Sequence, residues 1–382
     1  MEKSTVKKAC GTCFFTEDVP GVIIEDNGSC NFCNSGVFIE ENDKLTFSNL
    51  EELKKIAEKI RNTRQGKYDC IIGASGGLDS SFVIYVVKKL LDLNPLVVNY
   101  ENPFSKNLAK ENLQKICRSL GVDLKTIKSR QGYDKKYVRS ISRALIATDA
   151  YWGCCAFCNY ILPVVIHNEA VKAGIKTIFG SYNLFENRST RYLTKSYKIK
   201  FMLKNLWQAR IKEKIRFVLY LISAQYYFIR FKLENPAEVI FKTIFSLTTI
   251  SALFQQPVSR ITSRLQVINV TEYIKWDIYE IVAVLKKELN WIPPDEPYLP
   301  MRFDCRLEDG FIEHTYKRAI GITLRGIMCN HLIYAGVKKR EDLESSIRVY
   351  ESDMLVEREK LISELTASLN NNPEKTLSQE CD

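Results

Sequence analysis

The feature that most constrains this chain is the octet Ala74-Ser75-Gly76-Gly77-Leu78-Asp79-Ser80-Ser81, set between a short apolar run (69–73) and a segment of helical pattern (79–93). Two adjacent glycines let the backbone turn tightly and aim N–H groups at phosphate oxygens, while the N-terminus of the following helix adds partial positive charge. Ser75, Ser80 and Ser81 supply hydroxyl donors. Asp79 does not suit direct contact with phosphate, because like charges repel, so it implies a bridging Mg²⁺ or a backbone cap. The octet has no lysine where a Walker A loop needs one, and its glycines do not follow the Rossmann spacing.

Beyond the octet the pattern alternates. Strands are expected over 69–73, 95–100, 123–127 and 177–180, with helices over 79–93, 105–120 and 161–173 between them. This order predicts a parallel sheet with helices on both faces and ligands at the carboxyl ends of its strands. Asn99 and Tyr100, closing the second strand, and Gly180, closing the fourth, are therefore candidates to line a pocket with the octet. A polar helix over 49–64 leads into this region.

The 382 residues exceed what one core usually holds, roughly 250–300 residues, so several units are expected. They divide into a module over 1–45, an α/β domain over 66–190, a helical insert over 197–262 and a helical C-terminal region over 263–370. The formal net charge of +10 permits an anionic partner without selecting one. Residues 1–9 are polar and charged with no apolar run after them, so a cytoplasmic, reducing location is expected.

In a reducing compartment the 12 cysteines read as metal ligands or core residues rather than disulfides. Cys10, Cys13, Cys30 and Cys33 have the C-x2-C…C-x2-C spacing of a closed tetrahedral zinc site, two knuckles meeting on one Zn²⁺. A second group, Cys154-Cys155-Ala156-Phe157-Cys158, lies ahead of the expected helix over 161–173. The three histidines, His167, His314 and His331, read as packed or surface residues.

The octet resembles the SGGxDS signature of the PP-loop (N-type ATP pyrophosphatase, HUP-like) class, whose members bind ATP and split it between the α and β phosphates. Taken with the knuckles, the runs CGTC (10–13), PGVIIEDNGSCNFC (20–33) and YDCIIGASGGLDSS (68–81) resemble the N-acetyl sugar amidotransferase family. That family acts in the biosynthesis of bacterial surface polysaccharide, including lipopolysaccharide, and of flagellin sugars such as pseudaminic acid. The resemblance covers about 8–130 and returns at Gly336-Val337-Lys338-Lys339-Arg340-Glu341-Asp342; Arg302-Phe303-Asp304-Cys305 departs from the family's pattern. It implies that Ala74 to Ser81 bind ATP, that Ser75 and Asp79 are catalytic, and that Asp79 organises Mg²⁺. It further implies conversion of an acetamido group to an acetamidino group through an adenylylated intermediate, on a sugar or nucleotide-sugar. Asn183, Glu186 and Arg188, after the fourth strand, would face that substrate. No glutaminase signature is present, since residue 2 is Glu and 153–155 lacks a nucleophile elbow, so a separate glutaminase subunit would supply ammonia.

Two other readings remain open. Some PP-loop tRNA thiolases carry C-x-x-C after the ATP loop and a lone cysteine later, together holding a [4Fe-4S] cluster; Cys155, Cys158 and Cys305 match that layout, and nucleic acid would then be a partner. The other is a non-catalytic scaffold, against which the intact octet argues. The insert, rich in aromatic and basic residues, is expected to form a buried or partner-docking helical hairpin. Its alternative is a peripheral membrane contact through 212–256.

Overall fold

The computed structural model describes residues 8–36, 49–151, 153–181, 200–234, 265–274, 276–296 and 298–366. Strands β1 (Cys70–Gly73), β2 (Pro95–Tyr100), β3 (Asp123–Ile127) and β4 (Thr177–Gly180) lie where the sequence predicts them, and a fifth, β5 (Gln266–Asn269), completes the sheet. All pairings are parallel, in the order β3-β2-β1-β4-β5. Ile71 pairs with Leu96 on one side and Ile178 on the other, so β1 is the centre.

Around the sheet stand α2 (Leu50–Asn62), α3 (Leu78–Tyr85), α4 (Asn107–Leu120), α5 (Tyr133–Leu145), α6 (Gly153–Lys172), α7 (Ile211–Glu234) and α8 (Ile278–Leu289). A short α1 (Asn31–Ser35) lies in the N-terminal cysteine module, and α9 (Glu313–Ile320), α10 (Leu324–Tyr334) and α11 (Arg340–Thr366) form the helical C-terminal region. Strand residues alternate between two cores. Ile72 and Val97 pack with Phe82, Leu113 and Leu285, from α3, α4 and α8. Ile71 and Val98 pack with Tyr137, Val165 and Phe228, from α5, α6 and α7. Each such side chain contributes about 1.5–3 kcal/mol when fully buried.

β5 and α8 lie beyond residue 190, yet Ile268, Ile281 and Leu285 share the core of β1 and α3. The sheet therefore closes with chain drawn from the far side of the insert. Four residues, Gln-Val-Ile-Asn, carry too little periodicity to announce an edge strand.

α6 starts eight residues before the helix expected over 161–173, so the second cysteine group is helical rather than a loop. Gly and Cys are weak helix formers, and here packing overrides propensity: Cys154 is buried with its sulfur 3.2 Å from Ser142 Oγ of α5. At i and i+3, Cys155 and Cys158 share a helix face. Within the insert, α7 buries Ala224, Phe228 and Phe231 against the sheet-facing helices. The return arm of the expected hairpin would fall in 235–264, outside the described residues.

Candidate functional site

The octet leaves β1 and enters α3 through a turn that only glycine can make. Gly76 has φ +89°, and a Cβ there would stand 1.9 Å from the Ala109 carbonyl oxygen of α4. Ser80 Oγ accepts the N–H groups of Ser75 and Gly76, both at 3.3 Å, and Ser75 Oγ accepts that of Gly77. Gly77 caps α3 in an extended conformation with no side chain over the helix end, so the positive end of the helix stays open. Two distant groups brace the turn: Asn99 donates to Ala74 O at 2.7 Å, and Trp291 Nε1 donates to Gly76 O at 3.3 Å.

In front of the turn lies a cavity of about 190 Å³ lined by Ser75, Gly77, Leu78, Asp79 and Ser80, by Ser181 just after β4, and by Arg302, Asp304 and Glu308. Trp276, Ile278, Met301 and Met328 supply its apolar wall. The sheet runs from β1 to β2 in one direction and to β4 in the other, so this crevice sits at the topological switch point, where open parallel sheets bind ligands.

Within 302–308 the sequence reading singled out only Cys305, as a candidate cluster ligand; Arg302, Asp304 and Glu308 are the wall residues it did not assign. Arg302 adopts φ +49°, which costs a non-glycine residue about 1–2 kcal/mol. It is held by an ion pair with Glu308 and by Arg325, which donates to Arg302 O at 2.8 Å. Lys106 N donates to Asp304 O and Arg306 N to Phe104 O, tying this segment to the loop after β2. The signal available in the sequence was charge density, two bases and two acids within 302–308, but nothing local placed it beside Ser75.

Of the predicted pocket residues, Ser75, Gly77, Leu78, Asp79 and Ser80 line the cavity, while Ala74, Gly76 and Asn99 build its frame. Ser81 is buried behind the helix start. Tyr100 does not reach the cavity: its hydroxyl donates to Asp134 at 2.8 Å and its ring packs edge-on against Phe231 of α7. Gly180 abuts β5, where a Cβ would stand 2.5 Å from Asn269 Oδ1. Asn183, Glu186 and Arg188 lie outside the described residues. His331 is buried, and His314 is partnered by Asp149 at 3.0 Å, in keeping with packed roles.

Cys10, Cys13, Cys30 and Cys33 converge, with their sulfurs all within 4.8 Å of one another and three of them buried. Sulfur separations of 3.7 Å (Cys10–Cys33), 3.8 Å (Cys13–Cys30) and 3.5 Å (Cys30–Cys33) fit the edge of a tetrahedron, about 3.8 Å for a metal–sulfur bond of about 2.3 Å. The four residues thus form a group able to hold one metal ion. Backbone N–H groups of Thr12 and Cys30 point at Cys10 Sγ, at 3.3 and 3.2 Å, and hydrogen bonds from Cys13 and Cys33 lower the Cys30 thiol's pKa. Arg340 at the start of α11 donates to the Cys10 and Cys13 carbonyls, and Phe15, Val19 and Val22 share a core with Tyr316, Ile322 and Ile327.

The second cysteine group is different. Asn102, after β2, places its amide nitrogen 3.5 Å from both Cys158 Sγ and Cys305 Sγ. Burial pushes the Cys158 thiol up to about 12, helped by the carboxylates of Asp134, Asp304 and Glu308, and pushes that of Cys155 well above its ordinary value, helped by Cys305, Glu308 and the neighbouring thiols. Each of Cys155, Cys158 and Cys305 keeps a partly exposed edge. Among the described residues, only the N-terminal group brings three or more ligand atoms within 4.8 Å, so these three thiols do not surround a single small ion.

No protein-family model matches the chain. An uncharacterised protein of Methanocaldococcus jannaschii is 27% identical over 173 residues, which is 44% of this chain and 58% of that relative's length. Among solved structures, the U34-tRNA thiolase NcsA from Methanococcus maripaludis with its [4Fe-4S] cluster gives a TM-score of 0.34 at 13% identity, covering 92% of this chain and 89% of that one. The NH3-dependent NAD synthetase of Campylobacter jejuni in complex with nitrate gives 0.30 at 15% identity, covering 56% and 91%. The NMN synthetase of Francisella tularensis gives 0.34 at 12% identity, covering 81% and 96%. At such scores these likenesses say nothing about substrate or chemistry in this chain.

Proposed function

We propose that the chain is an ATP-dependent, AMP- and pyrophosphate-forming enzyme of the PP-loop class that adenylylates an amide oxygen, acting on an acetamido sugar. The observation that carries the ATP reading is the glycine turn at the switch point, with the open N-terminus of α3 and Ser75 at the edge of one cavity. Such donors stabilise negative charge as it moves onto a leaving pyrophosphate. Asp79, Asp304 and Glu308 would repel a polyphosphate unaided, and carboxylate with hydroxyl oxygens is a donor set suited to Mg²⁺. When bound, that ion would neutralise phosphate charge.

In this reading the substrate's amide oxygen attacks the α-phosphorus and the bond to the β-phosphate breaks, releasing pyrophosphate. Ammonia then adds to the imidate carbon, AMP departs with the former amide oxygen, and a proton is lost to solvent. A separate glutaminase would deliver the ammonia. Zn²⁺ at Cys10, Cys13, Cys30 and Cys33 would be structural, since four thiolates leave no open position.

A second reading, an RNA thiolase, is favoured by one observation: Asn102 brings Cys158 and Cys305 together behind the wall that Asp304 shares with the cavity. The test supplies ATP, Mg²⁺ and an ammonium salt with a UDP-N-acetylamino sugar or an N-acetylated nonulosonate, and measures AMP, pyrophosphate and the mass of the product. Replacement of O by NH is expected. Pyrophosphate release that needs tRNA and a sulfur donor, and ignores acetamido sugars, would overturn the sugar assignment in favour of the thiolase.

A further inference from the structure

We infer that the outward face of the 200–234 helices is a peripheral docking surface for an anionic membrane. Residues 200–208 are helical, and α7 follows after a break at 209–210. On α7, Ile211, Ile215, Leu219, Ile222, Tyr226 and Ile229 recur every three or four residues and all are exposed, forming one stripe along the helix. The same helix turns Ala224, Phe228 and Phe231 inward. It is therefore apolar on two opposed faces, and only one of them is needed for the fold. Leu203 and Trp207 extend the outward stripe upstream, with Trp207 83% exposed.

The border of the stripe is cationic. At about 100° per residue, Lys212 and Arg216 stand along one edge and Lys214 along the other, with Lys200 and Lys204 upstream. Within 200–231 the single acid is Glu213, and its carboxylate is taken by Arg210 at 2.9 Å. A soluble protein partner of ordinary composition would offer acids and bases together. A stripe of Ile, Leu and Trp bounded by bases alone matches acyl chains under a layer of anionic headgroups, where Lys and Arg stems reach outward to phosphate. No described helix is long and apolar enough to cross a membrane, so the helix would lie along the surface.

The test uses the full chain with large unilamellar vesicles of phosphatidylglycerol and phosphatidylethanolamine, against vesicles of phosphatidylcholine alone. Binding to the anionic vesicles is expected, about tenfold or more above neutral ones, and weakening with salt. Ile215→Glu with Ile222→Glu should cut it at least about tenfold while circular dichroism and melting stay unchanged, because both residues are exposed. Lys212→Glu with Arg216→Glu should remove the salt dependence. Trp207→Phe should abolish the blue shift of tryptophan emission that anionic vesicles induce. The proposal is overturned if the wild-type chain stays in the supernatant, or if both double variants bind as it does. It is also overturned if the wild type is a dimer that Ile222→Glu makes monomeric, since a second copy would then own the face.

Discussion

Both cysteine groups contain C-x-x-C, yet they are built for different ends. In the N-terminal group, four sulfurs sit within 4.8 Å of one another, backbone N–H groups point at them, and Arg340 ties their loop to α11. Around α6, one C-x-x-C meets a lone cysteine from residue 305, and only an asparagine amide joins Cys158 to Cys305. The first arrangement is closed, with three of its four cysteines buried. The second is open at the edge and abuts the wall of the switch-point cavity through Asp304 and Glu308, whose charges help keep the Cys158 thiol protonated. What separates them is not the motif but what faces it: N–H donors and more thiols in one case, carboxylates and a cavity in the other.

The largest expected effect breaks the comparison if it fails. Cys13→Ser should abolish soluble protein and bound metal together, because metal binding in such a module supplies folding energy on the order of 10 kcal/mol. Its core is shared with Tyr316 and Ile327, so the loss should spread into the C-terminal helices, and the measurement belongs on the full chain. Cys158→Ser, in contrast, should remain soluble with an unchanged melting temperature and lose activity. A Cys13→Ser protein that is soluble and metal-loaded, or a Cys158→Ser protein that precipitates, would reverse the two roles.

Asp79→Ala sets the scale for a loss of chemistry without a loss of fold. Pyrophosphate release should fall by about a thousandfold, with the circular dichroism spectrum unchanged, since Asp79 lines the cavity and not a core. Retention of full activity would remove the PP-loop reading. A smaller effect should follow from Asn102→Ala, which removes the amide held by Cys158 and Cys305: about a tenfold loss of turnover with little change in melting, measured in the same pyrophosphate assay. Equal activity would leave the three thiols as packing residues.

The remaining effect, on stability rather than on turnover, is a pH dependence. Burial pushes the Glu313 carboxyl from its ordinary 4.5 up to about 7, against the pull of Arg325 and Arg302. The folded state thus keeps a proton between pH 4.5 and 7 that the unfolded chain has lost. Stability from this group is intact below 4.5 and is lost as pH rises through 7. Glu313→Gln should therefore match the wild type near pH 4.5 and exceed it above pH 8, by about 3 kcal/mol at most, in urea unfolding followed at both pH values. A difference that does not change with pH would remove the buried acid from this account.

The sequence by itself determined the strand–turn–helix unit around Ser75 to Ser81, four of the five strands and the Cys10/Cys13/Cys30/Cys33 set. These are local: each is written in a run of contiguous residues or in two short pairs, and its chemistry follows from spacing alone. It did not determine that α6 begins at Gly153, because packing on Ser142 outweighs the weak helix preference of Gly and Cys. Nor did it show that Gln266–Asn269 completes the sheet, that Trp291 holds the Gly76 carbonyl, that Asn102 joins Cys158 to Cys305, or that Arg340 reaches the Cys10 and Cys13 carbonyls. Most of these contacts join residues more than 200 positions apart, and no periodicity in the chain reports on them. They exist because the parallel sheet, once closed by β5, fixes where the ends of its strands and the C-terminal helices meet, and that closure is a property of the packed core rather than of any one segment.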